Sequence, residues 1–485
     1  MNIRALVRRL IPLAVVILLA ISTPYQSPST VEAQTPVVEI DWRAYSNPTA
    51  YWDEAYAVCE AGDYIYVVGG QSCGDWTCGR IEVRHKVNGS LVNAFDIESI
   101  NKYLIKPFTD CAIGGGKLYA VSGYAVRGYR STSIYVFDLE FIFDPTLFKL
   151  NARFTVGKGY YYSILFLDNH TYVAGESGSA LIVEKRRADN LELVKERITN
   201  PPPNTNYVTA RFIGVNPVTK QLWVVGYADT NLWIEILDLD LNLVKVVNKS
   251  GVGGRIAVFD EEGNAYVIGF TKTTGAGFVA EFDKESRELL YREVPLDVLK
   301  AAYVNGYIAI ATHESGGHVL YVLDKGLRVV SRVVLSEKTR ASGAGFSFGK
   351  MAFDGESLYV AGWDEAPGDR EWAIYSISIK APTATTVTVT TPPTTAASTV
   401  TTTLVITHTT VTTVAGYTTV ALPVATTATV FLPTTVTTTV VTREVSYIPT
   451  STVVRPWLAE ETVALGVSVA MLVASVLIGL RLRRR

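Results

Sequence analysis

The sequence predicts an all-β fold, a seven-bladed β-propeller, because one short phrase recurs along the middle of the chain. The phrase is an aromatic or apolar residue, two further apolar residues and a small residue, and successive copies start 42 to 53 residues apart. A repeat of this length that contains strands is typical of propeller blades. Six or eight blades remain open if the weakest copy, 308–311, is not a true one. The copies are residues 66–69, 119–122, 172–175, 223–226, 266–269, 308–311 and 359–362.

The fifth repeat shows the plan of one blade. Residues 254–259 form an apolar run of strand length, the polar turn 260–264 follows, and residues 265–270 form a second strand. Residues 278–283 alternate as a third strand, and residues 289–294 form a fourth. Four short antiparallel strands cannot bury both faces of their sheet alone. We therefore expect such sheets to pack on two neighbours around a common axis.

The two ends of the repeat region complement each other. The last repeat, residues 350–380, has three predicted strands, and residues 37–42 form an unassigned strand before the first repeat. We expect this N-terminal strand to complete the last blade, because it would close the ring and remove an open sheet edge.

The fifth repeat carries a family resemblance. Its phrase Asp-Glu-Glu-Gly-Asn-Ala-Tyr-Val-Ile-Gly-Phe-Thr over residues 260–271, followed by residues 278–283, resembles the SBBP-type propeller repeat of extracytoplasmic proteins. Residues 65–70 resemble a kelch phrase, but their double glycine does not recur and kelch is the weaker match. The resemblance covers residues 36–380. It implies a ligand-binding scaffold and no catalytic residues.

The N-terminus predicts export. Three arginines within the first nine residues precede the apolar run 10–21, and Ala33 ends a small-residue cleavage pattern. Residues 1–33 are therefore interpreted as a signal peptide, followed by the propeller over residues 34–380. An uncleaved N-terminal anchor is the alternative, because Ala33 lies far from the apolar run.

The C-terminus predicts a membrane anchor. Residues 462–480 contain no charge, and the tail 481–485 that follows is rich in arginine. A helix of this length spans about 28 Å, close to the thickness of the hydrocarbon core. Residues 456–485 are thus interpreted as a transmembrane helix with a cytoplasmic tail, which places the propeller outside the cell membrane.

A threonine-rich segment separates the propeller from this anchor. Between residues 381 and 455, 30 of 75 residues are threonine, and charges are almost absent. Such a segment cannot build a core, and its hydroxyls suit O-glycosylation, so we interpret it as an extended stalk. Self-associating β-structure is the alternative. The whole plan resembles that of archaeal surface-anchored proteins.

Composition excludes one class of partner. The net charge of −2 and the pI near 6.3 provide no basic field for nucleic acid. Three N-glycosylation acceptors occur at Asn88, Asn169 and Asn248, of which Asn88 and Asn248 are placed at turns. They predict a glycoprotein.

The cysteine count is even, as expected for disulfides in an exported chain. Cys73 and Cys78 flank a hairpin loop, and Cys59 and Cys111 occupy similar places in the first strands of adjacent repeats. Of three connectivities we favour Cys73–Cys78 with Cys59–Cys111. A four-cysteine metal site is the alternative, although the spacing lacks paired two-residue gaps.

The candidate ligand face lies on the loops between second and third strands and between blades, which share one side of a propeller. Aromatic, acidic and arginine side chains in these loops suit a glycan or protein ligand. Exposed polar loops without a ligand are the alternative. The ligand-binding candidates are Trp76, Tyr124, Arg127, Tyr129, Arg130, Glu176, Tyr227, Asp229, Trp363 and Asp364, with His313, Glu314, Glu365, Tyr51, Trp52 and Asp53 nearby.

One cluster has the side chains of a metal site. His313, Glu314 and His318 surround a tight loop and could share an ion, or they merely flank a hairpin. We predict no cofactor, and no catalytic motif such as a Gly-x-Ser-x-Gly elbow occurs. The favoured hypothesis is a membrane-anchored, cell-surface binding or adhesion module. An extracellular propeller glycosidase or lyase, which needs clustered carboxylates, and a structural envelope component are the alternatives.

Overall fold

The computed structural model divides the chain into two compact units, one ending at Pro382 and the other beginning at Thr383. The predicted signal peptide and transmembrane helix lie outside the described residues. Within the described part of the chain, no helix is both long and apolar enough to cross a membrane. The structure describes residues 35–73, 76–97, 107–122, 132–144, 153–156, 158–294, 300–314, 317–336, 344–345, 349–366 and 369–381, and five short strands beyond residue 388.

The first unit contains seven antiparallel sheets, which confirms the predicted seven-bladed propeller. In blades one to six, four consecutive strands lie side by side in chain order. Blade one consists of β2 (Glu54–Ala61), β3 (Tyr64–Cys73), β4 (Trp76–His85) and β5 (Leu91–Ile97). Blade two consists of β6 (Phe108–Gly114), β7 (Lys117–Ser122), β8 (Ser133–Asp138) and β9 (Arg153–Val156), with a short 3-10 helix (Leu139–Phe141) after β8. Blade three consists of β10 (Tyr160–Leu167), β11 (His170–Ser177), β12 (Ala180–Arg187) and β13 (Leu193–Thr199).

Blades four to six repeat this arrangement, and the phrase 308–311 lies in the second strand of blade six. This placement confirms the count of seven. Blade four consists of β14 (Val208–Val215), β15 (Leu222–Ala228), β16 (Asn231–Leu237) and β17 (Leu243–Lys249). Blade five consists of β18 (Val252–Phe259), β19 (Ala265–Thr271), β20 (Gly277–Phe282) and β21 (Glu288–Val294). Blade six consists of β22 (Lys300–Val304), β23 (Tyr307–Glu314), β24 (Gly317–Leu323) and β25 (Val329–Val334).

Blade seven joins the two ends of the ring. It consists of β26 (Ala344–Gly345) and β27 (Ala352–Phe353), which both pair with β28 (Ser357–Ala366), then β29 (Asp369–Lys380) and the N-terminal strand β1 (Val37–Ser46). The ladder between β1 and β29 runs from Val37 opposite Lys380 to Ser46 opposite Trp372. The predicted closure is thus confirmed, and the closing strand extends four residues beyond Trp42.

The first strands of the blades surround the axis of the ring. Each contacts the first strand of the next blade, and the circle closes where β27 contacts both β22 and β2. The side chains on these first strands therefore decide what the central channel offers to a ligand.

The aromatic residue that opens a phrase packs on the next blade. Tyr119 stacks on Phe166, with 5.5 Å between ring centroids, and Trp223 meets Phe259 edge-on at 5.9 Å. Tyr119 and Trp223 are fully buried. Each large ring removes about 150 to 250 Å² from water, so the phrase supplies much of the packing between blades.

The small residue that ends a phrase has a steric cause. The first strands of blades one to five each carry one extra residue, a β-bulge, opposite the end of the phrase. A Cβ atom on Gly226 would lie 1.8 Å from the carbonyl oxygen of Thr209, and one on Gly269 would lie 1.9 Å from that of Gly253. The backbone therefore leaves little room for a side chain there.

All four cysteines form the predicted disulfides. Cys59 in β2 is bonded to Cys111 in β6, with 6.1 Å between Cα atoms, and so links blades one and two. Cys73 and Cys78 close the hairpin between β3 and β4. The alternative of a four-cysteine metal site is wrong.

The second unit contains five short strands among its described residues. They are β30 (Val389–Thr390), β31 (Thr402–Val405), β32 (Thr412–Thr413), β33 (Tyr417–Leu422) and β34 (Thr426–Phe431). β33 pairs antiparallel with β34 and parallel with β31, while β30 pairs with β32.

Candidate functional site

Most of the described candidate residues lie in strands rather than loops, because the hairpins are tighter than the sequence suggests. Trp76 opens β4, Glu176 lies in β11 and Tyr227 lies in β15. Trp363 and Asp364 lie near the end of β28, and Asp364 is buried. The side chain of Trp76, and the candidates Tyr124, Arg127, Tyr129 and Arg130, lie outside the described residues.

The structure brings two candidates, Glu176 and Tyr227, into one network. The Tyr162 hydroxyl donates to the Glu176 carboxylate at 3.1 Å, and the Arg211 guanidinium donates to the Tyr227 hydroxyl at 2.7 Å. The guanidinium carbon of Arg211 also lies 4.0 Å from the ring centroid of Tyr162 and 5.3 Å from that of Tyr227. We call Tyr162, Glu176, Arg211 and Tyr227 the Arg211 cluster.

Bulges in the first strands position this cluster. Tyr162 is the extra residue of β10, between the partners of Gly175 and Ala174, and Arg211 is the extra residue of β14. A bulge re-aims the side chain of the extra residue and often lies beside a functional site. Burial raises the pKa of the Tyr162 phenol well above its usual range, so this phenol stays protonated and donates to Glu176.

The Arg211 cluster adjoins a pocket in the central channel. Sequence reasoning missed this pocket, because most of its residues lie on first strands, and the first strand of the fifth repeat was interpreted only as an apolar run. The one available signal was the arginine inside the apolar run 254–259. The pocket is lined by Asp110, Tyr162, Ser163, Arg211, Phe212, Arg255, Ile256, Gly349 and Lys350.

The single carboxylate among the described lining residues is fully engaged. The Oδ2 atom of Asp110 accepts from the Ser163 hydroxyl and the Ile164 amide, both at 2.9 Å, and lies 3.0 Å from the Lys350 Nζ atom. Asp110 is 1% exposed. This carboxylate therefore holds blades two, three and seven together at the pocket.

Blade seven reaches across the channel near this pocket. Gly349 has φ +137°, and a Cβ atom there would lie 2.3 Å from the Tyr56 carbonyl oxygen. The Lys350 ammonium donates to the Ile164 carbonyl, and the Lys350 carbonyl accepts from the Val58 amide at 3.1 Å. Residues 349–350 thus contact blades one, two and three and narrow the channel.

A second aromatic and arginine contact lies between blades seven and one. The guanidinium carbon of Arg370 lies 4.0 Å from the ring centroid of Trp363, and its NH1 atom lies 2.6 Å from the Glu54 carboxylate. The candidate Glu365 lies 3.6 Å from the same guanidinium. Arg370 therefore fixes the orientation of Trp363.

The candidate Asp229 holds a turn. Its carboxylate accepts from the backbone amides of Asn206 and Tyr207 at 3.0 to 3.2 Å. It thereby orders the connection from blade three to blade four. Tyr207 in turn lies edge-on to Tyr227, with 6.0 Å between centroids.

Two of the three metal candidates are engaged in contacts with other side chains. His318 is buried, and its Nδ1 atom lies 2.7 Å from the Tyr375 hydroxyl. Glu314 forms an ion pair with Arg332 at 2.5 Å, while His313 lies opposite His318 in the hairpin and is exposed. Over the described residues, no three His, Cys, Asp or Glu side chains are grouped to hold an ion.

The three glycosylation acceptors are all exposed. Asn88 lies in a turn, as predicted. Asn248 was also placed at a turn, but this is wrong: it lies in β17, the outer strand of blade four, because the strand extends to Lys249. Asn169 also lies in a turn, with φ +57°.

No family model and no curated protein matches the chain, so the SBBP-type resemblance of the repeats stays a prediction. Solved propeller structures are similar in fold. BamB from Moraxella catarrhalis is 13% identical, with 71% of this chain and 100% of that chain covered and a TM-score of 0.42. The β-propeller domain of the Trilobed protease from Pyrococcus furiosus is 13% identical, with 67% and 94% covered and a TM-score of 0.45. Likenesses at this level carry no information on the ligand.

Proposed function

We propose that this protein is a cell-surface, membrane-anchored binding or adhesion module whose propeller takes a glycan or protein ligand. The observation that carries the proposal is the Arg211 cluster beside the channel pocket. Arg211 is held against two tyrosine rings and hydrogen-bonded to one of them. A guanidinium held in this way is pre-organised, so it loses little side-chain entropy when a ligand binds.

The residue types support recognition. Tyrosine, tryptophan and arginine contribute most of the binding energy at protein interfaces, especially where neighbouring contacts exclude water. The ring of Tyr227 also meets Phe270 edge-on at 5.6 Å, which extends the aromatic surface into blade five. Trp363 and its Arg370 partner offer a second anchor of the same kind.

The membrane tether rests on the sequence. The apolar segment 462–480, the arginine-rich tail and the threonine-rich stalk support a propeller that faces outward on a single-pass anchor. Protease added to intact cells should release a propeller fragment by cleavage in the stalk. A tag placed after Arg485 that is labelled on unpermeabilised cells would contradict this topology.

A glycan and peptide array probed with the protein tests the binding function. Once a ligand is found, Arg211→Ala, Trp76→Ala and Trp363→Ala should each weaken binding by about 30-fold, which is the loss of roughly 2 kcal/mol at an anchor. Arg187→Ala is the matched control, because this exposed arginine is the last residue of β12 and forms an ion pair with Asp189. If all three variants bind as tightly as the parent and the control, the ligand face lies elsewhere.

A further inference from the structure

Five successive connections of blades three, four and five lie at the same end of the ring. They follow the second and fourth strands of these blades, and because neighbouring strands run in opposite directions, all five emerge on one side. The structure describes every residue of them. We call this surface the Tyr207 face, and it consists of residues 178–179, 200–207, 229–230, 250–251 and 272–276.

Hydrogen bonds from backbone amides make the Tyr207 face one continuous surface across the three blades. They fix the main chain itself, so the surface is formed before a ligand arrives and binding orders little backbone. The bonds run from the Val208 amide to the Ser179 carbonyl at 2.9 Å, from the Tyr207 amide to the Asp229 carboxylate at 3.2 Å, from the Gly251 amide to the Asn231 side-chain oxygen at 3.3 Å and from the Lys272 amide to the Gly251 carbonyl at 3.0 Å.

The longest of the five connections, residues 200–207, is rigid by its own sequence. Residues 201–203 are all proline, and the proline ring fixes φ. The Thr205 amide and hydroxyl both donate to the Pro202 carbonyl, at 3.1 and 2.7 Å. The Asp229 carboxylate holds the end of the loop by its amides. The loop therefore keeps its shape without help from a ligand.

Tyr207 presents a fixed aromatic ring on this surface. It is 39% exposed, and its hydroxyl donates to the Asp229 carbonyl at 3.2 Å. Its ring lies edge-on to Tyr227, with 6.0 Å between centroids, and Tyr227 lies edge-on to Phe270 at 5.6 Å. A ring held in one orientation offers a large contact area at a low cost in side-chain entropy.

Neutral polar side chains surround this ring. The five connections contain two charged residues, Asp229 and Lys272, and the Asp229 carboxylate is bound to backbone amides. Hydroxyl and amide side chains both donate and accept hydrogen bonds, so they match a ligand that carries hydroxyl groups and no charge. The neutral polar residues of the face are Ser179, Asn204, Thr205, Asn206, Thr230, Ser250, Thr273 and Thr274.

We infer that the Tyr207 face binds a neutral glycan, with one sugar ring stacked on Tyr207. The inference rests on the proposed binding function and specifies its ligand class. A sugar ring has an apolar C–H face that fits an aromatic ring, and a rim of hydroxyls that fits neutral donors and acceptors. A folded protein partner is disfavoured, because protein interfaces depend on a cluster of large anchors, and Tyr207 is the one exposed large apolar side chain of these five described connections.

Titration calorimetry on the full, purified chain tests this site with the neutral sugars cellotetraose, maltotetraose and chitotetraose. We expect at least one of them to bind, and Tyr207→Ala to weaken that binding by about 10-fold or more, since the variant loses the stacked ring. Tyr207→Phe keeps the ring and should bind within about 3-fold of the parent. Tyr51→Ala is the matched control, at an exposed tyrosine between β1 and β2, and should bind as the parent does.

Ring chemistry and charge provide two further measurements. Tyr207→Leu keeps an apolar side chain without a planar ring, so it should lose binding as Tyr207→Ala does. Binding of the parent should change little when salt is added, because a neutral sugar brings no charge pair that salt could screen. Full binding by Tyr207→Leu, or a steep loss of affinity with salt, would overturn the stacked neutral sugar.

The remaining outcomes separate this inference from the proposed function. Absence of binding to all three sugars, or equal binding by Tyr207→Ala and the parent, would overturn the neutral-glycan site, while the array decides the binding function separately. Decaproline is the competing probe, because extended proline segments also dock on aromatic surfaces. Binding of decaproline that depends on Tyr207, without binding of the sugars, would overturn the assignment to a glycan.

Discussion

The Asp41 carboxylate accepts a hydrogen bond from the Ser378 hydroxyl at 2.5 Å, although 337 positions separate the two residues. The same carboxylate accepts from the hydroxyls of Ser376 at 3.0 Å and Ser357 at 3.1 Å. These bonds attach β1 to β28 and β29 of blade seven. The N-terminal strand is therefore fixed both by its ladder with β29 and by one side chain.

Deleting residues 34–44 should lower the melting temperature of the whole ring in a single transition. The deletion removes most of the ladder with β29 and takes Val38 and Ile40 away from the core shared by blades six and seven. It also leaves an open sheet edge. Differential scanning calorimetry, with a chain that begins at residue 34 as the reference, measures the change. An unchanged melting curve would contradict the closure.

The sequence predicted the ring because its signals repeat. The phrase marks the second strand of every blade, and the three-strand last repeat left a place for residues 37–42. The blade count and closure were accessible for this reason. The first strands repeat no such phrase, so a single polar residue within one of them, such as Arg255, does not stand out in the sequence.

The channel could not be predicted in the same way. A bulge inserts one residue, and an insertion of one residue moves every later side chain to the opposite face of a strand. Arg255 inside the apolar run 254–259 was the visible trace of such a bulge. Which blades bring their bulged residues together depends on ring geometry. The contact of Lys350 with Asp110, 240 positions away, follows from that geometry alone.

Gly226→Ala should destabilise the propeller by about 1 to 3 kcal/mol or more, because its Cβ atom would lie 1.8 Å from the Thr209 carbonyl oxygen. Backbone on both sides must shift to accept it. Gly326→Ala is the matched control, since the nearest atom to its Cβ is a side-chain oxygen of Asp324 at 3.3 Å. Urea unfolding of both variants gives the comparison. Equal losses of stability would show that the phrase needs no small residue.

Glu82→Gln should cost about 3 to 5 kcal/mol of folding stability. The Glu82 carboxylate is fully buried and pairs with Arg84 at 2.7 Å and with Arg80 at 3.0 Å. The substitution leaves two guanidinium groups without their shared carboxylate. Glu288→Gln is the matched control, because it makes the same chemical change in the ion pair of Glu288 with Lys249. The side chains of that pair are about one-third exposed, so the variant should lose less than about 1 kcal/mol of folding stability. Chemical denaturation compares the two, and a similar cost for both would argue against a structural role for the buried pair.

Lys300 should make the stability of the ring rise with pH above neutrality. Burial lowers the pKa of its ammonium from 10.5 to about 7 in the folded state. Between these values the unfolded chain holds a proton that the folded chain has lost, so the free energy of unfolding increases with pH by up to about 1.4 kcal/mol per unit. The Lys300→Met variant should lack this increase, while Lys195→Met, at an exposed lysine bound to Asn242, should follow the parent. Urea unfolding between about pH 6 and pH 9 measures the difference between parent and variant. If that difference stays constant over this range, folding does not lower the pKa of the Lys300 ammonium.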